Sequence, residues 1–325
     1  MKNTQVIQLM SIVRLSIFML GITMMSCNSK KEQQLPAIGK SVALFDYFSY
    51  KGNDDFYISN PLSDEDYFYN PILPGWYSDP SVCTNGEGDY FLVTSTFTYF
   101  PGVPIFHSKD LVNWKQIGHV LNRASQLVNM EGQKVSGGIF APAISYNPYN
   151  KTYYMVTTNV GAGNFFVKTQ DPFGEWSEPV MLPEVGGIDP SFFFDEDGKA
   201  YIVNNDEAPD NKPEYSGHRT IRIQEFDVKT DKTVGPRKIL VNKGAQPADK
   251  PIWIEGPHLY KINGKYFLMS AEGGTGNWHS EVIFRGDSPM GKFLPWKNNP
   301  ILTQRHLNSD RPNSCLLYTS PSPRD

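Results

Sequence analysis

The sequence predicts an all-β protein of the β-propeller class, and three observations point there. The composition, with 20 Phe, 17 Tyr, 6 Trp, 27 Gly and 25 Pro, describes aromatic strands joined by tight turns. That apolar content is ample for a core and excludes a disordered chain. The apolar runs are short and are punctuated by Asn, Asp and Gly, which is hairpin chemistry. Above all, one plan recurs four times along the middle of the chain.

Each repeat opens with a small or acidic residue before proline, continues as an apolar strand, turns, and returns as an aromatic strand. The four are Asp79-Pro80-Ser81-Val82 leading to Tyr90-Phe91-Leu92-Val93, and Ala141-Pro142-Ala143-Ile144 leading to Tyr153-Tyr154-Met155-Val156. Then come Asp189-Pro190-Ser191-Phe192 leading to Tyr201-Ile202-Val203, and Gly256-Pro257-His258-Leu259 leading to Tyr266-Phe267-Leu268-Met269. The spacing from proline to tyrosine is 10, 11, 11 and 9 residues (80 to 90, 142 to 153, 190 to 201, 257 to 266). The connections Asn85-Gly86, Asn147 to Asn150, Asp195 to Gly198 and Asn263-Gly264 are hairpin turns. A further strand and an outer segment follow each hairpin, and Trp114, Trp176 and Trp296 in those segments read as blade packing. A unit of about four strands recurring every 48 to 67 residues (142 to 190, 190 to 257) suits a propeller blade. A β-sandwich would not open every unit with the same dipeptide.

Charge and motif content limit the function. The net charge of -4 supplies no basic face for nucleic acid. Three cysteines, Cys27, Cys83 and Cys315, cannot form a disulfide framework, and Cys83 sits in an expected strand as a buried thiol. Phosphate-binding glycine loops, Cys-x-x-Cys and His-Glu-x-x-His are missing from the sequence, so no metal site is assigned.

The ends read differently from the middle. Residues 1–26 carry Lys2 and Arg14 and an apolar stretch from Ile12 to Met25, too short for a good membrane span. With Met25-Ser26-Cys27 they resemble a lipoprotein-type signal peptide, with Cys27 as the lipidated first residue of an exported protein. This expectation puts the protein on a bacterial membrane, at the periplasmic face or cell surface, held there only by the N-terminal lipid. Residues 27–66 read as a tether and lead-in, 67–312 as the propeller. Residues 313–325, Asn-Ser-Cys-Leu-Leu-Tyr-Thr-Ser-Pro-Ser-Pro-Arg-Asp, lack both strand alternation and helical period and read as a non-native, adapter-like tail.

In a propeller the innermost strands line a central channel, so equivalent strand entries converge on one face. That brings Asp79, Asp189 and Glu255 together, flanked by Trp76-Tyr77, Gly187-Ile188 and Trp253-Ile254. Apolar walls and neighbouring carboxylates raise a carboxyl pKa. One acid and one base in such a site can hydrolyse a glycosidic bond, and groups on different blades suit the wider separation of an inverting enzyme.

Longer motifs carry a family resemblance. They are Asn70-Pro71-Ile72-Leu73-Pro74-Gly75-Trp76-Tyr77-Ser78-Asp79-Pro80-Ser81, Thr94-Ser95-Thr96-Phe97 and Phe100-Pro101-Gly102-Val103-Pro104-Ile105. They continue with His107 to Trp114, Gly137-Gly138-Ile139-Phe140-Ala141-Pro142, Ile188-Asp189-Pro190-Ser191, Glu255-Gly256-Pro257-His258 and Ala271-Glu272-Gly273-Gly274-Thr275-Gly276. Over about residues 70–312 the chain resembles glycoside hydrolase family 43, in its β-xylosidase and α-L-arabinofuranosidase branch. The resemblance implies a five-bladed propeller, of which about four blades are encoded, so the chain reads as C-terminally truncated. It implies that Asp79 is the general base, Glu255 the general acid, and Asp189 the residue that tunes and orients the acid. It implies that Phe97 and Phe140 shape the sugar subsites, and that His258 and His279 line the pocket. Residues 299–305 resemble the lead-in to the last blade. The substrate implied is a hemicellulose oligosaccharide with a terminal β-D-xylosyl or α-L-arabinofuranosyl residue, the two not being separated by these motifs. No cofactor is required, although the resemblance allows a structural calcium in the channel of the full-length protein. The alternative reading is a non-catalytic glycan-binding propeller at the cell surface. Glu272, Asp206 and Glu207 read as loop carboxylates.

Overall fold

The computed structural model describes residues 58–62, 67–276, 278–303 and 305. The signal segment 1–26, the lipidation candidate Cys27 and the tail 313–325 lie outside the described residues, as does most of the 27–66 tether. The chain divides into two units, Met1–Pro61 and Leu62–Asp325, and every strand belongs to the second.

Four antiparallel blades follow one another along the chain. The first is β1 (Ser81–Thr84), β2 (Tyr90–Val93), β3 (Gly102–Ser108) and β4 (Lys115–Leu121). The second is β5 (Ile139–Asn147), β6 (Thr152–Asn159), β7 (Gly163–Thr169) and β8 (Val180–Met181). The third is β9 (Ile188–Phe194), β10 (Ala200–Glu207), β11 (Arg219–Asp227) and β12 (Lys232–Asn242). The fourth is β13 (Glu255–Ile262), β14 (Lys265–Glu272), β15 (Ser280–Gly286) and β16 (Leu294–Pro295). Within each blade the strands pair in chain order, the topology expected of a propeller. The described residues thus hold four blades. The segment expected to lead into a further blade carries β17 (Leu302–Thr303), which pairs with Ser280 and Glu281 of β15. β16 occupies the other end of the same edge, at Phe284 and Arg285. The two short strands together form the outer edge of the fourth blade.

The period-2 alternation of the aromatic strands builds the core. Tyr153 and Met155 pack with Phe91, Val93 and Ile105 between the first and second blades. Their neighbours Tyr154 and Val156 point the opposite way and pack with Phe192, Ile202 and Phe226 between the second and third. Phe193, Tyr201 and Val203 then meet Leu259, Tyr266 and Leu268 between the third and fourth. The central strands of the second and third blades are therefore buried on both faces, which is why β6 contains no exposed residue. Of the three tryptophans expected to pack the blades, Trp176 does so. Trp296 is instead exposed, and Trp114 is half-exposed, its indole N–H donating to the Leu111 carbonyl. Cys83 lies in β1 but is only half-buried.

The proline openings have one backbone geometry. The residue before proline has a left-handed φ in every blade: 53° at Asp79, 34° at Ala141, 53° at Asp189 and 54° at Gly256. Three of the four are not glycine, and a residue preceding proline is already confined mainly to extended conformations. The register of β5, β9 and β13 shifts at these points. The proline thus sits in a bulge, where its missing N–H leaves no ladder bond unmade. A serine one or three positions beyond the proline sews adjacent inner strands together in the first three blades. Ser81 Oγ accepts from the Ile144 N–H at 2.8 Å, Ser145 Oγ donates to the Phe192 carbonyl at 3.1 Å, and Ser191 Oγ donates to the Pro257 carbonyl at 2.6 Å.

The close approach of blade entry to central strand leaves no room for a side chain at Gly187. Its φ is 73°, and a Cβ there would lie 1.9 Å from the Asn205 carbonyl oxygen. Gly187→Ala is expected to destabilise the protein by about 3 kcal/mol, read as a lower urea midpoint at unchanged slope. An unaltered midpoint would show that the blade entry yields more easily than this packing implies.

Candidate active site

The strained entry residues carry the candidate catalytic groups. Asp79 lies two residues before β1, Asp189 is the second residue of β9, and Glu255 begins β13. The offset of Glu255 by one residue has a local cause: the left-handed position before proline in the fourth blade is Gly256. The acid therefore takes the preceding position, paired across the ladder with Ala271 of β14.

The residue opposite each entry links one blade to the next. Ser95 N–H donates to the Ser78 carbonyl at 2.9 Å. Its hydroxyl donates to Asp79 Oδ2 at 2.5 Å and accepts from the Ala141 N–H at 2.8 Å. Thr158 lies opposite Phe140 in the second blade; its hydroxyl accepts from the Asp189 N–H at 3.1 Å and donates to Asn164 Oδ1 at 2.7 Å. Asn205, opposite Ile188, donates from Nδ2 to the Ile254 carbonyl at 2.5 Å. Each of the first three blades thus holds the entry of its successor through one short polar side chain.

Asp189 is tied to the segment that bears Glu255. Its Oδ2 accepts the Gly256 N–H at 3.0 Å, next to Glu255 in the chain. Burial, and then the Asp79 charge, push the Asp189 carboxyl up, against that single hydrogen bond. Burial, then Asp189, then Asp79 push Glu255 well above the ordinary glutamate value, and the Arg219 charge opposes them. Burial also raises Asp79, but two hydroxyls, Ser95 first and then Ser78, and the His279 ring favour its ionised form. Three carboxyl groups this close do not all ionise together. Burial and the neighbouring carboxylates thus favour the protonated form of Glu255, while the Ser95 hydroxyl favours the ionised form of Asp79.

Aromatic side chains stand beside Asp79. Phe97 stacks on Trp76 with ring centroids 5.3 Å apart and meets Phe140 edge-on at 5.6 Å. The Phe97 N–H and carbonyl exchange hydrogen bonds with Ile139, fixing the two phenylalanines across the first and second blades. Trp76 is 59% exposed and Tyr99 packs against its edge. His279 is buried, its Nδ1 donating to the Gly274 carbonyl at 3.0 Å, and its ring is near enough to Asp79 to influence it. His258 is buried inside β13 opposite Met269, beyond the bulge that displays Glu255.

Three residues read as loop carboxylates lie in strands instead. Asp206 and Glu207 end β10, with Asp206 buried against Arg237 at 2.8 Å and Arg222 at 3.2 Å. Glu272 ends β14, is buried, and accepts the Ala245 N–H at 3.0 Å beside a cavity of about 430 Å³ lined also by Trp278 and Arg305. Among the described residues no group of three or more His, Cys, Asp or Glu side chains is arranged to hold a metal ion. Ser95, Thr158, Asn205 and Arg219 were not singled out by sequence reasoning. Ser95 lies within the quoted Thr94-Ser95-Thr96 run, where the hydroxyl cluster ending a strand was the available signal.

The role of Ser95 can be isolated. Ser95→Ala removes a donor from Asp79 and strands the Ala141 N–H. The acidic limb of kcat/KM is expected to move to higher pH, because the base becomes harder to ionise, and stability to fall by about 1–3 kcal/mol. A pH–rate profile with an unmoved acidic limb would remove Asp79 from the role of base.

A propeller that gathers three carboxyl groups at its blade entries presents a candidate acid–base site of the kind glycoside hydrolases use. The model of glycosyl hydrolases family 43 matches residues 68–315, and the chain belongs to this family. It is 48% identical over 246 residues to a xylosidase/arabinosidase of Butyrivibrio fibrisolvens, covering 75% of this chain and 46% of that protein. It is 42% identical over 243 residues to a non-reducing end alpha-L-arabinofuranosidase, BoGH43B, of Bacteroides ovatus, covering 73% of this chain and 42% of that one. Among solved structures, a GH43_12 protein retrieved from a capybara gut metagenome superposes with a TM-score of 0.74 at 56% identity, covering 79% of this chain and 48% of that chain. The chain spans less than half the length of these relatives.

Proposed function

We propose that the protein hydrolyses terminal β-D-xylosyl or α-L-arabinofuranosyl residues of hemicellulose oligosaccharides with inversion. The observation that carries this reading is the bond from the Gly256 N–H to Asp189. It ties the carboxylate that raises Glu255 to the backbone that bears Glu255. Glu255 protonates the leaving glycosidic oxygen as the bond to the anomeric carbon breaks. Asp79, held by Ser95, takes a proton from the water that attacks the opposite face of that carbon. Phe97 and Phe140 offer apolar faces to the sugar ring. The glycosyl group passes from the leaving oxygen to water without any change of oxidation state, so the reaction needs no redox cofactor.

We further propose that the protein is exported and lipidated at Cys27, which holds it to the bacterial membrane. No helix among the described residues is long and apolar enough to span a bilayer. Metabolic labelling with a palmitate analogue is expected to tag the wild type and not Cys27→Ala; equal labelling of both would refute the anchor.

The activity is tested with the full chain on p-nitrophenyl β-D-xyloside and α-L-arabinofuranoside, following the first-formed anomer by proton NMR. Turnover with inversion that is lost in Asp79→Asn is the expected result. Retention of the anomeric configuration would overturn the assignment of Asp79 as a base. Sugar binding without turnover would favour the glycan-binding alternative.

A further inference from the structure

We propose that Arg219 is a positioning residue for Glu255: its guanidinium, anchored on Glu207, clamps the Trp253 ring and so fixes the segment that delivers the acid. This inference rests on the role given to Glu255 above.

The segment 251–254 is irregular and enters β13 directly, so the direction of Glu255 depends on how that segment is held. Trp253 has a left-handed φ of 52°, a conformation that a bulky residue keeps only when its surroundings impose it. The imposing contacts come from the turn before β11. The Trp253 N–H donates to the Gly217 carbonyl at 2.8 Å, and the Tyr215 hydroxyl donates to the Pro251 carbonyl at 2.7 Å. Gly217 lies so close that a Cβ would approach Ile252 Cβ to 2.7 Å. On the other sides, Gly273 N–H donates to the Ile252 carbonyl at 2.8 Å and Asn205 holds the Ile254 carbonyl. These bonds secure the backbone. Among the described contacts of the Trp253 ring, the guanidinium of Arg219, 4.5 Å from its centroid, is the charged one.

Arg219 is well placed to act as a fixed clamp. Its side chain is largely buried and ion-pairs with Glu207 at the end of β10. Its carbonyl accepts the Lys243 N–H at 3.0 Å, which ties its backbone to the strand beyond. A planar guanidinium stacks on an indole and pairs with a carboxylate at once, whereas an ammonium is a point charge without a stacking face. The charged and titratable groups around the pair come from every neighbouring element. Asp79, Asp189 and Arg219 act on Glu255, and His279 acts on Asp79. Glu207 faces Arg219, while Arg222 donates to the Glu207 carbonyl and His218 bonds Asn242.

Hydrogen–deuterium exchange and the pH–rate profile of the full chain test the clamp. Arg219→Met is expected to raise exchange of the Trp253 and Gly256 amides at least tenfold while the first and second blades stay unchanged. Its alkaline limb is expected to move to higher pH, because a positive charge near Glu255 is gone, and kcat to fall more than KM changes. Arg219→Lys retains the charge but not the stacking face, so its exchange rises while its alkaline limb stays in place. Glu207→Gln, at a side chain that is half exposed, frees the clamp without opening the core and raises the same amides to a lesser degree. Wild-type exchange at Trp253 and Gly256 in both Arg219→Met and Glu207→Gln would overturn the proposal. Raised exchange in a chain without turnover would support the clamp and reject the hydrolase reading.

Discussion

Glu255→Gln is expected to lower kcat on an unactivated xylo- or arabino-oligosaccharide by about 10²–10⁴-fold. The amide keeps the size of the side chain and has no acidic proton to give. The leaving sugar would then depart as an alkoxide, and the barrier rises by the lost proton transfer. A p-nitrophenolate needs no such help, so the same variant should lose much less on the nitrophenyl glycoside. The comparison of the two substrates by chromatography and absorbance separates a lost acid from a damaged fold, because misfolding lowers both rates alike. An undiminished rate on the oligosaccharide would remove Glu255 from the mechanism.

Asp189→Asn is expected to move the alkaline limb of kcat/KM to lower pH by about 1–2 units. The sign follows from the charges. Burial and then Asp189 raise Glu255 above its ordinary value, so Glu255 stays protonated and competent to higher pH in the wild type. Removing the Asp189 charge lets Glu255 ionise earlier, while burial still holds it above the ordinary value of 4.5. The asparagine carbonyl can still accept the Gly256 N–H, so the backbone link at 3.0 Å has a successor and the effect is electrostatic. The limbs belong to the coupled cluster and not to one residue. The decisive measurement is therefore the displacement between variant and wild type. A limb that stays in place, or moves up, would show that Asp189 does not tune the acid.

The sequence carried more of this site than of the scaffold around it. Proline preceded by a small or acidic residue, returning at nearly constant distance from an aromatic strand, was enough to align four blade entries. It could do so because strand alternation and hairpin length leave few ways to arrange such units. The same rule explains Tyr153 and Tyr154, whose opposite faces feed two separate cores. It failed where the residue type is ordinary and its partner is remote in the chain. Ser95 is one serine among several until its hydroxyl meets Asp79 and Ala141, 16 and 46 residues away. Arg219 is a surface-type residue by sequence until its guanidinium meets the Trp253 ring and the Glu207 carboxylate. Trp296 was read as packing because tryptophan prefers a core, yet the edge formed by β16 and β17 leaves it in solvent.

The chain alone determined the all-β class, the propeller repeat, and the identity of Asp79, Asp189 and Glu255. These are local patterns whose period is set by backbone geometry and whose repetition is visible in one dimension. Only the tertiary structure decided what surrounds each of the three carboxyl groups. These surroundings are the Ser95 and Ser78 hydroxyls at Asp79, the Gly256 amide at Asp189, and the charges converging on Glu255. Proton affinity is a property of what surrounds a group in space, and those surroundings come from four blades that meet only after the chain has folded.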